Sequence, residues 1–153
     1  MNKFITFEGI EGSGKSTQMR LVARYLKERN IPLLITREPS GTDIGRKIGD
    51  ILFNREYHNM CAETEAFLFC AARAQHVREM IMPAINQNKV VLCDRFSDAT
   101  YAYQGAARGL NPEFIKLIND YSSMSLKPDL TLLFDSFSIS DITLASSRQI
   151  TSV

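Results

Sequence analysis

The stretch FEGIEGSGKSTQ, from Phe7 to Gln18, decides the fold of this chain. Its centre, GIEGSGKS, fits the pattern G-x-x-x-x-G-K-[ST] and lies between a predicted strand and a predicted helix, the context that this pattern requires. In such a turn the backbone N–H groups form a concave anion site at the positive end of the helix. The alternative is an ordinary glycine turn with a solvated lysine, but the context favours a nucleoside triphosphate site.

The ligands predicted from this loop are ATP and Mg²⁺. Lys15 can reach the β- and γ-phosphates, and the Ser16 hydroxyl can ligate the Mg²⁺ that accompanies a triphosphate. The residues predicted to bind ATP are Gly9, Ile10, Glu11, Gly12, Ser13, Gly14, Lys15, Ser16 and Thr17.

A second candidate group follows the apolar run VVLC, which ends at Asp94 and Arg95. An acid at the end of a second buried strand can hold a Mg²⁺-bound water beside the phosphate loop, so Ser16 and Asp94 are the predicted metal residues. The arginine next to it offers a planar fork that suits a phosphate. The alternative is a surface ion pair at the end of a strand.

The order of the elements predicts an α/β domain with a parallel sheet flanked by helices. Strands are expected at KFITF, IPLLIT, KVVLC and DLTLLF, and helices lie between them, including a long one from about Cys61 to Ala84. Thr42 and Asn111 are predicted N-caps, with Pro112 as the first residue of its helix. In the first helix we expect Leu21, Tyr25 and Leu26 to share one face.

Composition restricts the class of protein. Among the 153 residues 44% are hydrophobic and 23% are charged, and the net charge is +1, which is ordinary for a globular domain. Without a basic stripe we expect no nucleic-acid partner, and without a long apolar stretch we expect no membrane partner. The start MNKFITFEG does not resemble a signal peptide, and three cysteines without metal spacing indicate reduced thiols, so we expect a cytoplasmic protein.

On the long helix, Phe69 and Arg73 are spaced i and i+4, so they share a face. A ring and a guanidinium at this separation could stack on a nucleobase and donate to its carbonyl. An aromatic on a helix is more often part of the core, and for His76, one turn on, a structural or surface role is the better interpretation.

Four stretches together resemble thymidylate kinases, the enzymes that phosphorylate dTMP to dTDP using ATP. They are FEGIEGSGKSTQ, TREPSGT, FLFCAARAQHV and DRFSDATYAYQG, and the resemblance runs from about residue 3 to residue 135. It implies a P-loop nucleoside monophosphate kinase fold, and a homodimer packed through helices that include the long one. No general base is needed, because the acceptor phosphate is already anionic at neutral pH.

The resemblance also implies roles for individual residues. Phe69 would stack on thymine, Arg73 would donate to its carbonyl, and Tyr103 would crowd the site of a 2′-hydroxyl. The dTMP-binding set is Arg37, Pro39, Phe69, Arg73, Arg95, Thr100, Tyr103 and Gln104. Glu11 resembles the acid that meets the sugar 3′-hydroxyl, and the catalytic set is Lys15, Arg95, Asp94 and Glu11.

The end of the chain departs from this family. The acidic phosphate loop matches the bacterial type, in which arginines of a lid cover the transferring phosphoryl group. The segment Ser136–Val153 instead has six serines in eighteen residues and only Arg148 as a base, so we divide the chain into a kinase-like domain, 1–135, and a divergent tail, 136–153. Truncation, a shifted reading frame or divergence could each explain it. We expect the tail to be partly mobile and turnover to be slow.

Two other functions stay open from the sequence. One is a nucleoside monophosphate kinase for another base, and the other is a nucleotide-binding protein without useful catalysis.

Overall fold

The structure is a computed structural model that describes residues 2–135. Its four strands are β1 (Lys3–Gly9), β2 (Leu33–Arg37), β3 (Val90–Asp94) and β4 (Leu130–Phe134). Its helices are α1 (Lys15–Glu28), α2 (Asp43–Leu52), α3 (Ala62–His76), α4 (Met82–Asn86), α5 (Ser97–Thr100) and α6 (Pro112–Ser122), with a 3₁₀ turn at Arg55–Tyr57. The predictions for 136–153 lie outside the described residues, and the division at residue 135 stays a prediction.

The sheet is parallel, with the strand order β2-β3-β1-β4. Helices connect the strands, which confirms the predicted α/β architecture. Strand β3 is buried from Val90 to Cys93, as its continuous apolar run indicated. Parallel pairing brings the carboxyl ends of the strands to one edge, where Phe7 of β1 and Arg37 of β2 both pair with Asp94.

Two apolar cores cover the two faces of the sheet. Beneath α1 the core consists of Phe7, Met19, Ala23, Val90 and Leu92. On the opposite face it consists of Phe4, Val77, Ile81, Ala84, Val91, Cys93 and Phe96. Of the three free cysteines, two are buried in the protein and Cys61 is exposed.

The face of α1 that packs on the sheet is not centred on Leu21 and Tyr25, although these two residues and Leu26 border one groove. Leu21 and Tyr25 are 42% and 54% exposed, whereas Met19 and Ala23 face the sheet. The phase of the helix explains the difference: Lys15 is its first residue and turns back into the phosphate loop, so the positions one and two turns later point inward.

The other helix predictions are confirmed. Thr42 caps α2 by accepting a hydrogen bond from Gly45 N, and Asn111 caps α6, whose first residue is Pro112. The long helical segment runs from α3 to α4 through a wider π-helical turn at Val77–Ile81. No helix within residues 2–135 is long and apolar enough to cross a membrane.

The turn after β3 is held by β1. Arg95 has φ +67°, and its N–H donates to Phe7 O at 3.0 Å. The next N–H, of Phe96, donates to Glu8 Oε1 at 2.7 Å, and the Phe96 ring packs edge-on against Phe4 at 4.9 Å. Helix α5 and a π-helical segment, Tyr101–Ala107, then follow without a strong sequence signal.

Glu8 is a buried carboxyl, 4% exposed, inside this turn. Burial raises the pKa of Glu8 from 4.5 to about 7; Asp98 and Glu38 act in the same direction, and the Phe96 N–H and Arg95 oppose them. Between these two values the native state holds a proton that the unfolded chain has lost. Folding stability therefore falls as the pH rises through this window, and the change ends above the folded pKa.

We expect Glu8→Gln, which keeps an acceptor for the Phe96 N–H, to remove this pH dependence. Relative to Glu8→Gln, the wild type should lose free energy of unfolding between pH 4.5 and 7, by roughly 3 kcal/mol at most. Urea unfolding at several pH values measures it. Glu113→Gln, at an exposed position of α6, serves as the matched control and should follow the wild-type curve. Parallel curves for wild type and Glu8→Gln would contradict the assignment.

Candidate active site

A cleft of about 1020 Å³ opens at the carboxyl ends of the strands. It brings together most of the predicted site residues: Glu11, Gly12, Gly14, Lys15, Ser16, Thr17, Arg37, Pro39, Phe69, Arg73, Asp94, Arg95, Thr100, Tyr103 and Gln104. The other three predicted positions, Gly9, Ile10 and Ser13, belong to the phosphate loop but do not line the cleft. The phosphate loop and the Phe69/Arg73 pair therefore share one cavity.

Two glycines give the phosphate loop its shape. Gly9 has φ +134°, and a Cβ there would lie 2.2 Å from Phe134 O of β4, so no side chain fits. Gly14 has φ +90° and is the N-cap of α1, a position from which the first N–H groups of the helix remain available to an anion. The 14-residue helix α1 then begins at Lys15.

The Lys15 ammonium is held under the loop. The side chain is 7% exposed, and Nζ donates to Gly9 O at 2.9 Å and to Ile10 O at 2.5 Å. Within residues 2–135 no carboxylate lies within salt-bridge distance of Lys15. Its positive charge is therefore oriented by backbone carbonyls and is not neutralised by an acid.

Ser16 and Asp94 meet at the predicted metal position. Ser16 Oγ donates to Asp94 Oδ2 at 3.2 Å, and Asp94 Oδ1 is the one buried side-chain polar atom of the described residues that has no hydrogen-bond partner. An oxygen without a partner beside a hydroxyl suits Mg²⁺, which binds one or two protein oxygens and takes its other ligands from phosphates and water. The described residues contain no cluster of three or more His, Cys, Asp or Glu side chains around a common point.

Arg95 is the first residue after β3 and lines the cleft. Its Nη1 donates to Tyr103 Oη at 3.3 Å, and its Cζ lies 5.3 Å from the centroid of the Tyr103 ring. Arg37, at the end of β2, is exposed, and Pro39 is buried beside it. The guanidinium of Arg95 is thus oriented by an aromatic side chain and has no carboxylate partner within residues 2–135.

Arg73 forms the floor of the other end of the cleft and is 1% exposed. Its Nε donates to Glu38 Oε2 at 2.8 Å, and Nη2 donates to Phe96 O and Thr100 Oγ1 at 3.0 Å each. Nη1 donates to Asn119 Oδ1. Although burial opposes ionisation, the Glu38 carboxylate raises the pKa of Arg73 above its usual value, so the guanidinium is charged. One of its five N–H hydrogens, on Nη1, has no partner in the described part of the chain.

Sequence analysis missed three residues of this end. Glu38 accepts a hydrogen bond from Arg73, and its Oε1 lies 3.5 Å from His76 Nδ1. His76 is fully buried and also hydrogen-bonds Thr36, which agrees with a structural role for this histidine. Phe53 lies edge-on to Phe69 at 6.4 Å between ring centroids. Glu65, the third, hydrogen-bonds Gln104.

Only Glu65 had a usable sequence signal. It lies four residues before Phe69, on the same helix face. The roles of the individual site residues stay predictions.

Comparison with known proteins identifies the family. A model of the thymidylate kinase family matches residues 7–145. The chain is 53% identical over 135 residues to the thymidylate kinase of Syntrophus aciditrophicus, covering 88% of this chain and 62% of that protein. It is 51% identical to the thymidylate kinase of Geotalea uraniireducens, covering 88% and 63% respectively.

A solved structure agrees with these sequences. The crystal structure of thymidylate kinase from Ehrlichia chaffeensis superimposes with a TM-score of 0.82 and 40% identity, covering 89% of this chain and 77% of that one. The aligned part of the chain spans about three-fifths of the length of the curated relatives that it matches. The fold is thus that of a P-loop nucleoside monophosphate kinase, and the chain belongs to the thymidylate kinase family.

Proposed function

We propose that the protein transfers a phosphoryl group from ATP to dTMP, giving dTDP for the synthesis of dTTP in the cytoplasm. The observation that carries the proposal is the sharing of one cleft by a phosphate loop and a potential base-binding wall of Phe69 and Arg73. A donor and an acceptor bound in one cavity are held close together, and such positioning accounts for much of the rate in phosphoryl transfer. Membership of the thymidylate kinase family supports the same proposal.

ATP would occupy the loop end. The backbone N–H groups from Gly9 to Thr17 would bind its phosphates, and Lys15 would contact the β- and γ-phosphates. Ser16 and Asp94 would hold Mg²⁺, directly or through a water, and the bound ion would neutralise charge on the phosphates. The unpartnered Asp94 Oδ1 supports this placement.

The acceptor would occupy the other end. Arg95, whose guanidinium has no acidic partner in the described residues, would bind the phosphate of dTMP, and Phe69 would stack on thymine. The remaining Nη1 hydrogen of Arg73 would donate to a base carbonyl. Arg37 and Pro39 would shape the monophosphate pocket, and Thr100 and Gln104 would line the pocket around the base. Tyr103 would lie at the 2′ side of the sugar, and Glu11 would contact the 3′-hydroxyl.

Lys15→Ala should remove most phosphoryl transfer, a loss of roughly 3 kcal/mol in transition-state stabilisation or more, because it deletes an oriented charge at the transferring group. The assay is ADP formation from ATP with dTMP, dCMP, AMP or UMP as acceptor. Lys47→Ala is the matched control, because Lys47 is an exposed lysine of α2 outside the cleft. Unchanged turnover in Lys15→Ala would contradict the assignment.

The same assay separates the proposal from its two alternatives. Preference for another acceptor would identify a kinase for a different base. Binding of ATP and dTMP by calorimetry without ADP formation would instead identify a nucleotide-binding protein without useful catalysis.

We also propose that the protein is a homodimer packed through α3 and α6. Phe67, Leu117 and Tyr121 are 53%, 67% and 82% exposed, and Phe67 packs edge-on against Phe114 at 5.6 Å. These side chains form an apolar surface across both helices. Large exposed apolar patches of this kind commonly mark protein–protein interfaces.

Leu117→Lys should shift the mass in sedimentation velocity from dimer to monomer, because a second copy would have to bury an unpaired ammonium. Leu21→Lys, which places the same charge on an exposed leucine of α1, should stay dimeric. A monomeric wild type at tens of micromolar, or a dimeric Leu117→Lys, would contradict the proposed interface.

A further inference from the structure

Glu65 and Gln104 form a contact at the base end of the cleft that no predicted role includes. Gln104 Nε2 donates to Glu65 Oε1 at 2.6 Å, and the other oxygen of Glu65 pairs with Arg108. Gln104 is 3% exposed and lines the cleft, as does Glu65. The contact joins the start of α3 to the π-helical segment Tyr101–Ala107.

The chemistry of the pair fixes which end of the amide faces Glu65. An ionised carboxylate only accepts hydrogen bonds, so the NH₂ group of Gln104 must face it and the carbonyl oxygen must point elsewhere. Although partial burial opposes it, hydrogen bonds from Arg108 and Gln104 lower the pKa of Glu65 below its usual value, which keeps the carboxylate ionised. A neutral partner would allow the amide to adopt either orientation.

The oxygen of this amide is left available to a ligand. It has no hydrogen-bond partner within residues 2–135, and it is not enclosed, because Asp94 Oδ1 is the one buried side-chain polar atom there without a partner. On α3, Glu65, Phe69 and Arg73 follow one another at four-residue spacing and all line the cleft. Gln104 Oε1, an acceptor, and the remaining N–H of Arg73, a donor, therefore belong to two side chains that line the same cleft.

We propose that Glu65 is a positioning residue for base specificity. By fixing the amide of Gln104, it makes the cleft present one acceptor and one donor to the edge of a pyrimidine. That pattern matches the imide edge of thymine or uracil, where N3–H donates and O4 accepts. Cytosine has the opposite pattern, with an acceptor at N3 and an amino donor at position 4, so both groups of the protein would be mismatched.

The inference rests on the proposed function, because it assumes that the cleft binds a pyrimidine monophosphate. It differs from the proposed function in that it concerns selection among nucleobases rather than transfer of the phosphoryl group. Binding free energy is lost when buried hydrogen-bonding groups of a site face groups of the same kind on the ligand. The wild type should therefore bind dTMP at least tenfold more tightly than dCMP.

The test is calorimetric titration of wild type, Glu65→Gln and Glu63→Gln with four ligands: dTMP, dUMP, dCMP and N3-methyl-dTMP. Glu63 is exposed in the first turn of the same helix, so Glu63→Gln makes the same change in charge without touching Gln104. In Glu65→Gln the ratio of dTMP to dCMP affinity should fall on the order of tenfold, because the Gln104 amide can then reverse. The loss of affinity caused by N3-methylation of dTMP should become smaller in the same variant, while the ratio of dTMP to dUMP affinity should stay the same.

The outcomes distinguish a failure of the proposed function from a failure of the proposed role of Glu65. A wild type that binds none of the four ligands overturns the proposed function. A wild type that prefers dTMP, together with a Glu65→Gln variant of unchanged base ratio and native circular dichroism, overturns the inference alone. Loss of affinity for all four ligands in equal measure would also overturn it, since a purely structural role predicts that pattern. Should Glu65→Gln fail to fold, Glu65→Ala provides the second variant, because it also removes the carboxylate that orients the Gln104 amide. Its ratio of dTMP to dCMP affinity should fall in the same way, and an unchanged ratio would overturn the inference.

Discussion

The buried ion pair between Arg73 and Glu38 is the interaction on which the cleft depends. Arg73 projects from α3, Glu38 follows β2, and the same guanidinium also reaches the turn after β3 and helix α6. A buried ion pair contributes little net stability, because desolvation offsets most of the attraction, but loss of either partner leaves an uncompensated charge. The pair therefore mainly fixes geometry: it determines where α3, which carries Phe69, stands relative to the ends of the strands.

Much of the fold could be predicted, because its strongest signals are local. Glycines at the end of an apolar strand located the phosphate loop, and Thr42 and Asn111 located two helix starts. The proximity of Ser16 to Asp94 was also predictable, since the carboxyl ends of parallel strands meet at one edge of the sheet.

The rest depended on contacts between distant parts of the chain. Glu38 and Arg73 are 35 residues apart, and Glu65 and Gln104 are 39 apart, so no spacing rule connects them. The face of α1 that packs on the sheet could not be read from apolar spacing for a related reason. The rotation of the helix is set by Lys15, whose side chain turns back toward Gly9 O, and Leu21 and Tyr25 are exposed.

The charges of the cleft divide along its length, although the whole chain carries a net charge of only +1. At the end of the cleft proposed to bind the base, the cation Arg73 is paired with Glu38. At the phosphate end Lys15, Arg37 and Arg95 have no carboxylate within salt-bridge distance in the described residues. An unpaired cation attracts an anion strongly, whereas a paired one acts mainly as an oriented hydrogen-bond donor. This division of charge supports the proposed binding of phosphates at the Lys15 end and of a neutral base at the Arg73 end.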